Sequence, residues 1–349
     1  MKRQLLGVAA ILLSISTYAQ DNPLWMRYCA ISPDGTTIAF TYKGDIYTVP
    51  STGGRASQIT TNPAHDTKPI WSPDGKKIAF ASDRMGSMDI FEVNKEGGIP
   101  KRLTTHSGNE TPVAYKDAGH ILFLANIMPT AEDAQFPSGQ FQQVYEVNTE
   151  GGRPVLFSSM PMEDISINHT GNTLLYHDKK GYEDPWRKHH TSSITRDIWL
   201  CSLNGNRTFR KQTAFNGEDR TPVWASDDKS FYYLSEEKGS FNIFKRDIDG
   251  NTSKQITNHT KHPVRFLSAA SNGTLCYGYD GEIYTVKEGA IPQKVQISIV
   301  TDKNDKDLIR QIKRSGATEI SLSPDAKEIA FVLRGDVYVT STEYSTTKQ

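Results

Sequence analysis

The chain has 349 residues, and its 40 Lys and Arg are balanced by 40 Asp and Glu, so the formal net charge at pH 7 is zero. Hydrophobic residues make up 36% and charged residues 23%, which is typical of a folded globular protein and argues against disorder. The neutral balance, without a long basic run, also argues against nucleic acid as a partner, because such binding depends on clustered Lys and Arg.

The first twenty residues have the pattern of a secretory signal peptide. Lys2 and Arg3 supply a positive start, the apolar run from Leu5 to Ile15 is too short to span a bilayer, and Thr17-Tyr18-Ala19 precedes a suitable cleavage point. An uncleaved anchor is the alternative, but no stop-transfer run follows. We therefore expect residues 1–20 to be removed on export and the mature protein to be periplasmic.

Three cysteines, Cys29, Cys201 and Cys276, are far apart in the sequence and form no CxxC pair. An odd number cannot all be bridged within one chain. We therefore predict buried single thiols rather than a metal or redox motif.

From residue 24 onward the chain is built from repeats of roughly 40 to 50 residues, the range in which repeat architectures are found. Each repeat has a Ser-Pro-Asp-Gly type of turn, in which proline presets φ and glycine accepts a left-handed conformation. It also has a glycine-bearing hairpin turn before a strand of the Lys-Gln-Ile-Thr type. Between these turns lies an alternating strand with a polar residue two places before an aromatic, found at Asp45-Ile46-Tyr47, Asp89-Ile90-Phe91, Gln143-Val144-Tyr145, Asp197-Ile198-Trp199, Asn242-Ile243-Phe244, Glu282-Ile283-Tyr284 and Asp336-Val337-Tyr338.

Four short strands fit within each repeat, which is the size of one propeller blade. The predicted fold class is therefore all-β, with a six-bladed β-propeller of four-stranded antiparallel blades over residues 24–298. An open β-solenoid is the alternative, but meanders of four strands with polar turns do not stack coil on coil. No spare N-terminal strand is available, so we expect blades 1 and 6 to meet by side-chain packing alone, without a shared sheet.

A linker is predicted over residues 299–315, and a seventh unit over residues 316–349. Lys348-Gln349 falls where Lys254-Gln255 precedes the fourth strand of the fifth unit. The sequence therefore stops where the fourth strand of the seventh unit should begin. The third strand would then have an unpaired edge, and such an edge promotes aggregation. We therefore expect residues 316–349 to be an incomplete first blade of a second propeller in a longer polypeptide. A seven-bladed propeller with a frayed last blade is the alternative.

These repeats resemble the WD-like repeats shared by TolB, the prolyl oligopeptidase propellers and the tricorn peptidases. The segment from Gly181 to Trp199 is more specifically similar to the fourth blade of secreted bacterial tricorn-type peptidases, and so is the new array that opens at Glu319-Ile320-Ser321-Leu322-Ser323-Pro324-Asp325. The resemblance covers residues 24–340. It implies a parent with a second propeller, a PDZ domain and a C-terminal serine peptidase core of the C-terminal-processing type.

The resemblance places the catalytic residues in those C-terminal parts, so it assigns none to this chain. It implies that the propeller binds or gates peptides or unfolded polypeptide in proteolysis, with its own peptidase domains as partners. Homo-oligomers are compatible with it, since some relatives are hexameric. The alternative is a stand-alone TolB-like periplasmic interaction scaffold, although Asp21 to Leu24 leaves no room for the extra N-terminal domain of TolB.

Inspection of the residues agrees that no catalytic or cofactor motif is present. The chain has no GxSxG, HExxH, P-loop or GxGxxG sequence, so no cofactor is expected. The pair His189-His190 is the strongest candidate for metal binding, but neighbours on a strand face opposite ways and no further ligand completes a set. No metal site is therefore predicted. An enzyme active within these residues is the least favoured interpretation.

Two long insertions join the second and third strands of their blades, Asn126 to Gln140 and Asp178 to Arg196. Equivalent connections leave a propeller on one face, so both insertions should share one rim, where binding groups concentrate. Aromatic and cationic side chains of the longer insertion make polar and stacking contacts, either within the protein or with a peptide carboxylate. The candidate peptide contacts are Trp186, Arg187, Lys188, His189, His190 and Arg196.

Two further residue types recur in the repeats. The acidic residues at the start of the third strand fit a structural role better than calcium binding, since calcium needs six to eight convergent oxygens and these lie one per blade. They are Asp45, Asp89, Asp197 and Asp336. Four tryptophans in strand patterns are predicted to pack between blades, namely Trp25, Trp71, Trp199 and Trp224.

Overall fold

The computed structural model describes residues 23–127, 141–182, 184, 186–187, 191–300, 313–344 and 347–348. All regular secondary structure in these residues is β-strand. Within them, no helix is long and apolar enough to cross a membrane. The predicted signal peptide, residues 1–20, lies outside the described part of the chain.

Six four-stranded antiparallel sheets follow one another along the chain, which confirms the predicted propeller, and we call them blades 1 to 6. The strands of blades 1 to 3 are β1 (Arg27–Ile31), β2 (Thr37–Tyr42), β3 (Asp45–Pro50), β4 (Gly54–Arg55, outside the blade 1 sheet), β5 (Ser57–Gln58), β6 (Asp66–Trp71), β7 (Lys77–Ser82), β8 (Asp89–Asn94), β9 (Lys101–Arg102), β10 (Glu110–Asp117), β11 (His120–Ala125), β12 (Gln143–Asn148) and β13 (Val155–Ser158). Those of blades 4 to 6 are β14 (Met162–Ile167), β15 (Thr173–Asp178), β16 (Ile198–Ser202), β17 (Thr208–Lys211), β18 (Asp219–Trp224), β19 (Ser230–Ser235), β20 (Asn242–Asp247), β21 (Ser253–Gln255), β22 (Arg265–Ala269), β23 (Leu275–Tyr279), β24 (Glu282–Val286) and β25 (Gln293–Lys294).

The turn between β6 and β7 shows how the repeated sequence forms a hairpin. The Ser72 hydroxyl donates to Asp74 Oδ1 at 2.7 Å and accepts from the Lys77 amide at 2.9 Å. Gly75 takes a φ of 67°, and its amide donates to the Ser72 carbonyl at 2.9 Å. Local side-chain bonds therefore satisfy the turn before any long-range packing is made.

Six apolar clusters of buried residues hold the described ring together, one at each junction between neighbouring blades. Trp71 and Trp224 are buried at such junctions, and their indole N–H groups donate to the carbonyls of Ala30 and Ser166 in the preceding blades at 2.8 and 3.0 Å. The core role predicted for these two tryptophans is confirmed. It is wrong for Trp25, which is half exposed at the surface.

The repeated acidic residue of the third strand contacts the fourth strand of its own blade. Asp45 accepts from Gln58 at 3.1 Å, and Asp89 and Asp197 pair with Arg102 and Lys211 at 2.8 Å. The same contact recurs in blade 6 between Glu282 and Lys294. These pairs give the acidic residues the structural role that the sequence predicted.

The junction of blades 1 and 6, which we call the seam, differs from the prediction. A short strand beyond blade 6, β26 (Ile297–Ser298), pairs in parallel with β4 in the turn of blade 1. The Gly54 amide donates to the Gln296 carbonyl at 2.8 Å. Gly53 allows this approach, since it has a φ of 92° and a Cβ there would lie 2.7 Å from the same carbonyl oxygen. The expectation of side-chain packing alone was therefore wrong.

A seventh sheet follows residues 301–312, and it is built like the blades. Its strands are β27 (Ala317–Leu322), β28 (Glu328–Leu333), β29 (Asp336–Ser341) and β30 (Thr347–Lys348). Every residue of β27 is exposed, in contrast to the inner strands of blades 1 to 6. The Arg334 guanidinium donates to the Pro63 carbonyl of the ring at 2.9 Å. That this sheet opens a second propeller stays a prediction.

Candidate functional site

The innermost strand of every blade has an irregular register near its middle. In five blades a non-glycine residue at that place has a φ between 48° and 57°, and these are Tyr28, Lys68, Asp164, Thr221 and Phe266. Blade 3 has Pro112 at the equivalent place, and it does not share the positive φ because a proline ring holds φ negative. Bulges re-aim side chains, and all six residues line one cavity at the centre of the ring.

This central cavity has a volume of about 670 Å³. Its described lining has more cationic than acidic side chains, with Lys68, Lys179, Arg196, Arg220 and Arg265 against Glu163 and Asp164. Burial and the neighbouring Arg220 lower the pKa of Arg265 to about 10, a sign of how closely the cations are crowded. The cavity therefore favours an anionic ligand.

Lys68 is the cation of this lining that lacks an acidic partner. Its ammonium lies 5.8 Å from the centre of the Tyr28 ring, and no carboxylate of the described residues lies within 4 Å of it. Burial lowers the pKa of Lys68, while Asp164 and Glu163 act in the opposite direction. An anion entering the cavity would restore a partner to this ammonium.

Glu163 and His177 form the acidic side of the same wall. The Thr221 amide donates to His177 Nδ1 at 3.2 Å, which leaves the ring proton on Nε2, 3.2 Å from Glu163 Oε2. Lys179 donates to the other oxygen of Glu163 at 2.7 Å. Burial alone would raise the pKa of Glu163, but His177 and Lys179 hold it well below its usual range. This carboxylate is thus ionised and fully occupied.

The connection between β15 and β16, residues 179–197, extends from blade 4 across to the opposite side of the ring. The Trp186 ring contacts the guanidinium groups of Arg27 and Arg265, whose central carbons are 4.8 and 5.0 Å from the ring centre. Arg265 also donates to the Trp186 carbonyl at 2.6 Å, and Phe266 meets the indole edge-on. Trp186 of this connection therefore contacts blades 1 and 6 beside the cavity that it lines.

Buried ion pairs hold two arginines of this connection, Arg187 and Arg196. Glu218, at the start of blade 5, pairs with Arg187 and lies 3.0 Å from Arg196 and 3.5 Å from Arg220. Arg187 also lies 3.4 Å from the buried Glu236. Burial alone would raise the pKa of Glu218, but the three surrounding guanidinium groups outweigh it and leave the pKa lowered. Arg187 and Arg196 therefore tie the connection to blade 5, and Trp186 ties it to blades 1 and 6.

The predicted contact residues separate into three groups. Trp186 lies at the cavity mouth and remains accessible. Arg187 and Arg196 are near each other, but their charges are paired with glutamates of the protein. Lys188, His189 and His190 lie outside the described residues, as does most of the insertion Asn126 to Gln140. No group of three or more metal-ligating side chains occurs in the described ranges.

Several residues of the cavity were missed in the sequence. Lys68, Arg220 and Arg265 lie on the innermost strands, which carry less regular patterns than the aromatic third strands. A usable signal was nevertheless present, since Lys68 and Thr221 each precede a proline after an identical spacing from Asp66 and Asp219. That shared pattern marks the bulge where side chains turn into the cavity.

The fold and site together define a six-bladed β-propeller with a cationic central cavity. Residues 23–290 match the family model for the tricorn protease N-terminal beta propeller domain, and the chain belongs to this family. The tricorn protease homolog 1 of Streptomyces coelicolor is 25% identical over 281 residues, covering 79% of this chain and 25% of that protein. The tricorn protease homolog of Saccharolobus solfataricus is 27% identical over 295 residues, covering 80% of this chain and 26% of that protein.

The same relationship is visible in the fold. The crystal structure of the tricorn protease matches with a TM-score of 0.65 and 21% identity, covering 93% of this chain and 31% of that chain. At this identity the match shows the fold alone. The chain spans about a quarter of the length of these curated relatives.

Proposed function

We propose that this propeller is the non-catalytic module of a tricorn-type serine peptidase that binds peptides and gates their passage to or from the peptidase core. Membership of the family supports a role in proteolysis. We also propose export to the periplasm, on the strength of the sequence pattern in residues 1–20. Amino-terminal sequencing of the protein from the producing cell tests this, and an N-terminus at Met1 would contradict it.

The observation that carries the proposal is the cationic central cavity with the unpartnered ammonium of Lys68. A peptide presents a carboxylate at its C-terminus, and an ion pair with a buried lysine is a charge-assisted contact. Tyr28, Phe266 and Trp186 supply aromatic walls to the same cavity. Such walls accept side chains of different shapes, which suits a protein that handles many peptides.

The gating part of the proposal comes from the connection over residues 179–197. The Trp186 ring is held by stacking and one carbonyl contact, whereas Arg187 and Arg196 of the same connection are held by buried ion pairs. The contacts of the Trp186 ring are weaker than those ion pairs, since stacked cations near solvent contribute little. A peptide can therefore displace the Trp186 ring while both arginines stay paired.

The test compares a fluorescent peptide with a free C-terminal carboxylate and the same peptide amidated. Fluorescence polarisation with the full chain should show binding about tenfold tighter for the free acid, the equivalent of one charge-assisted contact. Lys68→Met should abolish that difference, whereas the exposed control Lys76→Met should preserve it. Mass spectrometry of the peptide should show no cleavage. Equal affinity for acid and amide would contradict the proposal.

A further inference from the structure

The seam between blades 1 and 6 closes the ring through contacts between the two ends of the propeller. Besides the parallel pair of β4 and β26, the Met26 amide donates to the Gly281 carbonyl at 3.2 Å, and the Ser271 amide donates to Pro33 at 2.9 Å. Unlike the other five junctions, this one joins parts of the chain that are distant in sequence. The seam is therefore where an added link would restrict the unfolded chain most.

Two cysteines face each other across this seam. Cys29 on β1 and Cys276 on β23 are both buried in the same apolar cluster. The Ser268 hydroxyl lies 3.4 Å from the Cys29 carbonyl and 3.5 Å from the Cys276 carbonyl, so one small side chain bridges the two backbones. The Cys29 thiol now donates to the Phe266 carbonyl at 3.4 Å. Both thiols are free in this structure.

The thiols also interact with each other. Burial raises the pKa of Cys276 well above its ordinary value, and the contact with the Cys29 thiol raises it further. A protonated, enclosed thiol reacts slowly with oxidants. A link between these thiols would therefore form while the seam is still open and be protected once it closes.

The third cysteine provides an internal control. Cys201 is buried in blade 4, in the cluster between blades 3 and 4. It belongs to a different junction from the seam and shares no cluster with the other two. Its chemistry should therefore report on general oxidation rather than on closure of the ring.

We propose that Cys29 and Cys276 form a disulfide that locks the seam when the chain folds in an oxidising compartment. The two thiols lose two electrons and two protons, and an external disulfide such as oxidised glutathione accepts them. One S–S bond breaks in the oxidant and one forms in the protein, by thiol–disulfide exchange. Forming the bond requires the Cys29 thiol to give up its hydrogen bond to the Phe266 carbonyl.

Peptide mapping tests the proposal directly. The reduced, denatured full chain is refolded with oxidised and reduced glutathione, alkylated and digested with trypsin without reduction. We expect the peptide Tyr28–Lys43 to be cross-linked to Phe266–Lys287, and Asp197–Arg207 to carry a capped Cys201. Recovery of the first two as separate peptides from refolded protein would overturn the proposal, as would equally frequent links to Asp197–Arg207.

A second measurement avoids dependence on refolding. The Cys201→Ser variant, isolated folded from an oxidising compartment, is denatured with an alkylating agent and its intact mass is measured. We expect no alkylation before reduction and alkylation of both remaining cysteines after it. The oxidised variant should also unfold at a higher denaturant concentration than its reduced form. The double variant Cys29→Ser with Cys201→Ser should unfold at the same denaturant concentration with and without reductant. Full alkylation of folded Cys201→Ser without reduction would overturn the proposal.

Discussion

The junctions between blades and the lining of the central cavity follow opposite rules. Every described junction is filled by the same kinds of side chain, aliphatic residues with one or more aromatics. The six bulge positions that line the cavity differ in every blade, as tyrosine, lysine, proline, aspartate, threonine and phenylalanine. Repetition builds the ring, and departure from repetition at one position per blade gives the cavity its chemistry.

The largest expected effect comes from emptying a junction. Phe80 is fully buried between blades 1 and 2 and packs against Phe91, with ring centres 6.1 Å apart. Phe80→Ala should lower the free energy of unfolding by about 3–5 kcal/mol, because it leaves a cavity in close-packed surroundings. Denaturant titration measures the loss. The exposed Phe209→Ala is the control, and a comparable loss there would remove the contrast between junction and surface.

A smaller effect is expected where the connection between β15 and β16 meets blade 5. Glu218→Gln keeps the shape of the side chain but removes the charge that faces three arginines. Because a hydrogen bond can remain, the loss in the free energy of unfolding should be about 3 kcal/mol or less. Limited trypsin digestion should then cut after Arg187 faster than in the parent chain. In the matched control Glu237→Gln, which changes a partly exposed side chain, trypsin should cut after Arg187 at the same rate as in the parent chain. An unchanged rate in Glu218→Gln would show that contacts other than the pair with Glu218 hold Arg187 in place.

The third expected effect is a pH dependence that comes from buried carboxyl groups rather than from the cavity. Burial raises the pKa of Asp45, Glu110 and Asp219 to about 7, with neighbouring carboxylates adding to the effect. These groups have a pKa of about 4 in an unfolded chain, so between about pH 4 and 7 the folded state binds more protons. The free energy of unfolding should therefore fall as pH rises through this window.

Denaturant titrations at pH 5, 6 and 7 measure that slope. Asp219→Asn removes one of the three groups and should flatten it, whereas Asp249→Asn at an exposed site should not. A free energy of unfolding that rises with pH over this window would contradict the raised pKa values.

The repeats predicted the fold because their signals are local. The turn at Ser72 is satisfied by hydrogen bonds within six residues, and alternation in β7 and β8 places Phe80 and Phe91 on one face. The seam was mispredicted because the pairing of β26 with β4 joins segments more than two hundred residues apart. No local pattern records such a pairing, and the glycine that permits it has the same appearance as other turn glycines.

The sequence by itself determined that the chain forms blades, how many close the ring, and that a long connection containing Trp186 leaves blade 4. Only the tertiary structure decided which cationic side chains are paired with carboxylates of the protein and which can pair with a ligand. Arg187 and Arg196 have the pattern of ligand contacts, yet Glu218 neutralises both from the next blade. Lys68 has an ordinary strand pattern, yet a bulge turns it into the cavity without a partner. Electrostatic pairing depends on distances across the ring, which spacing along the chain does not encode.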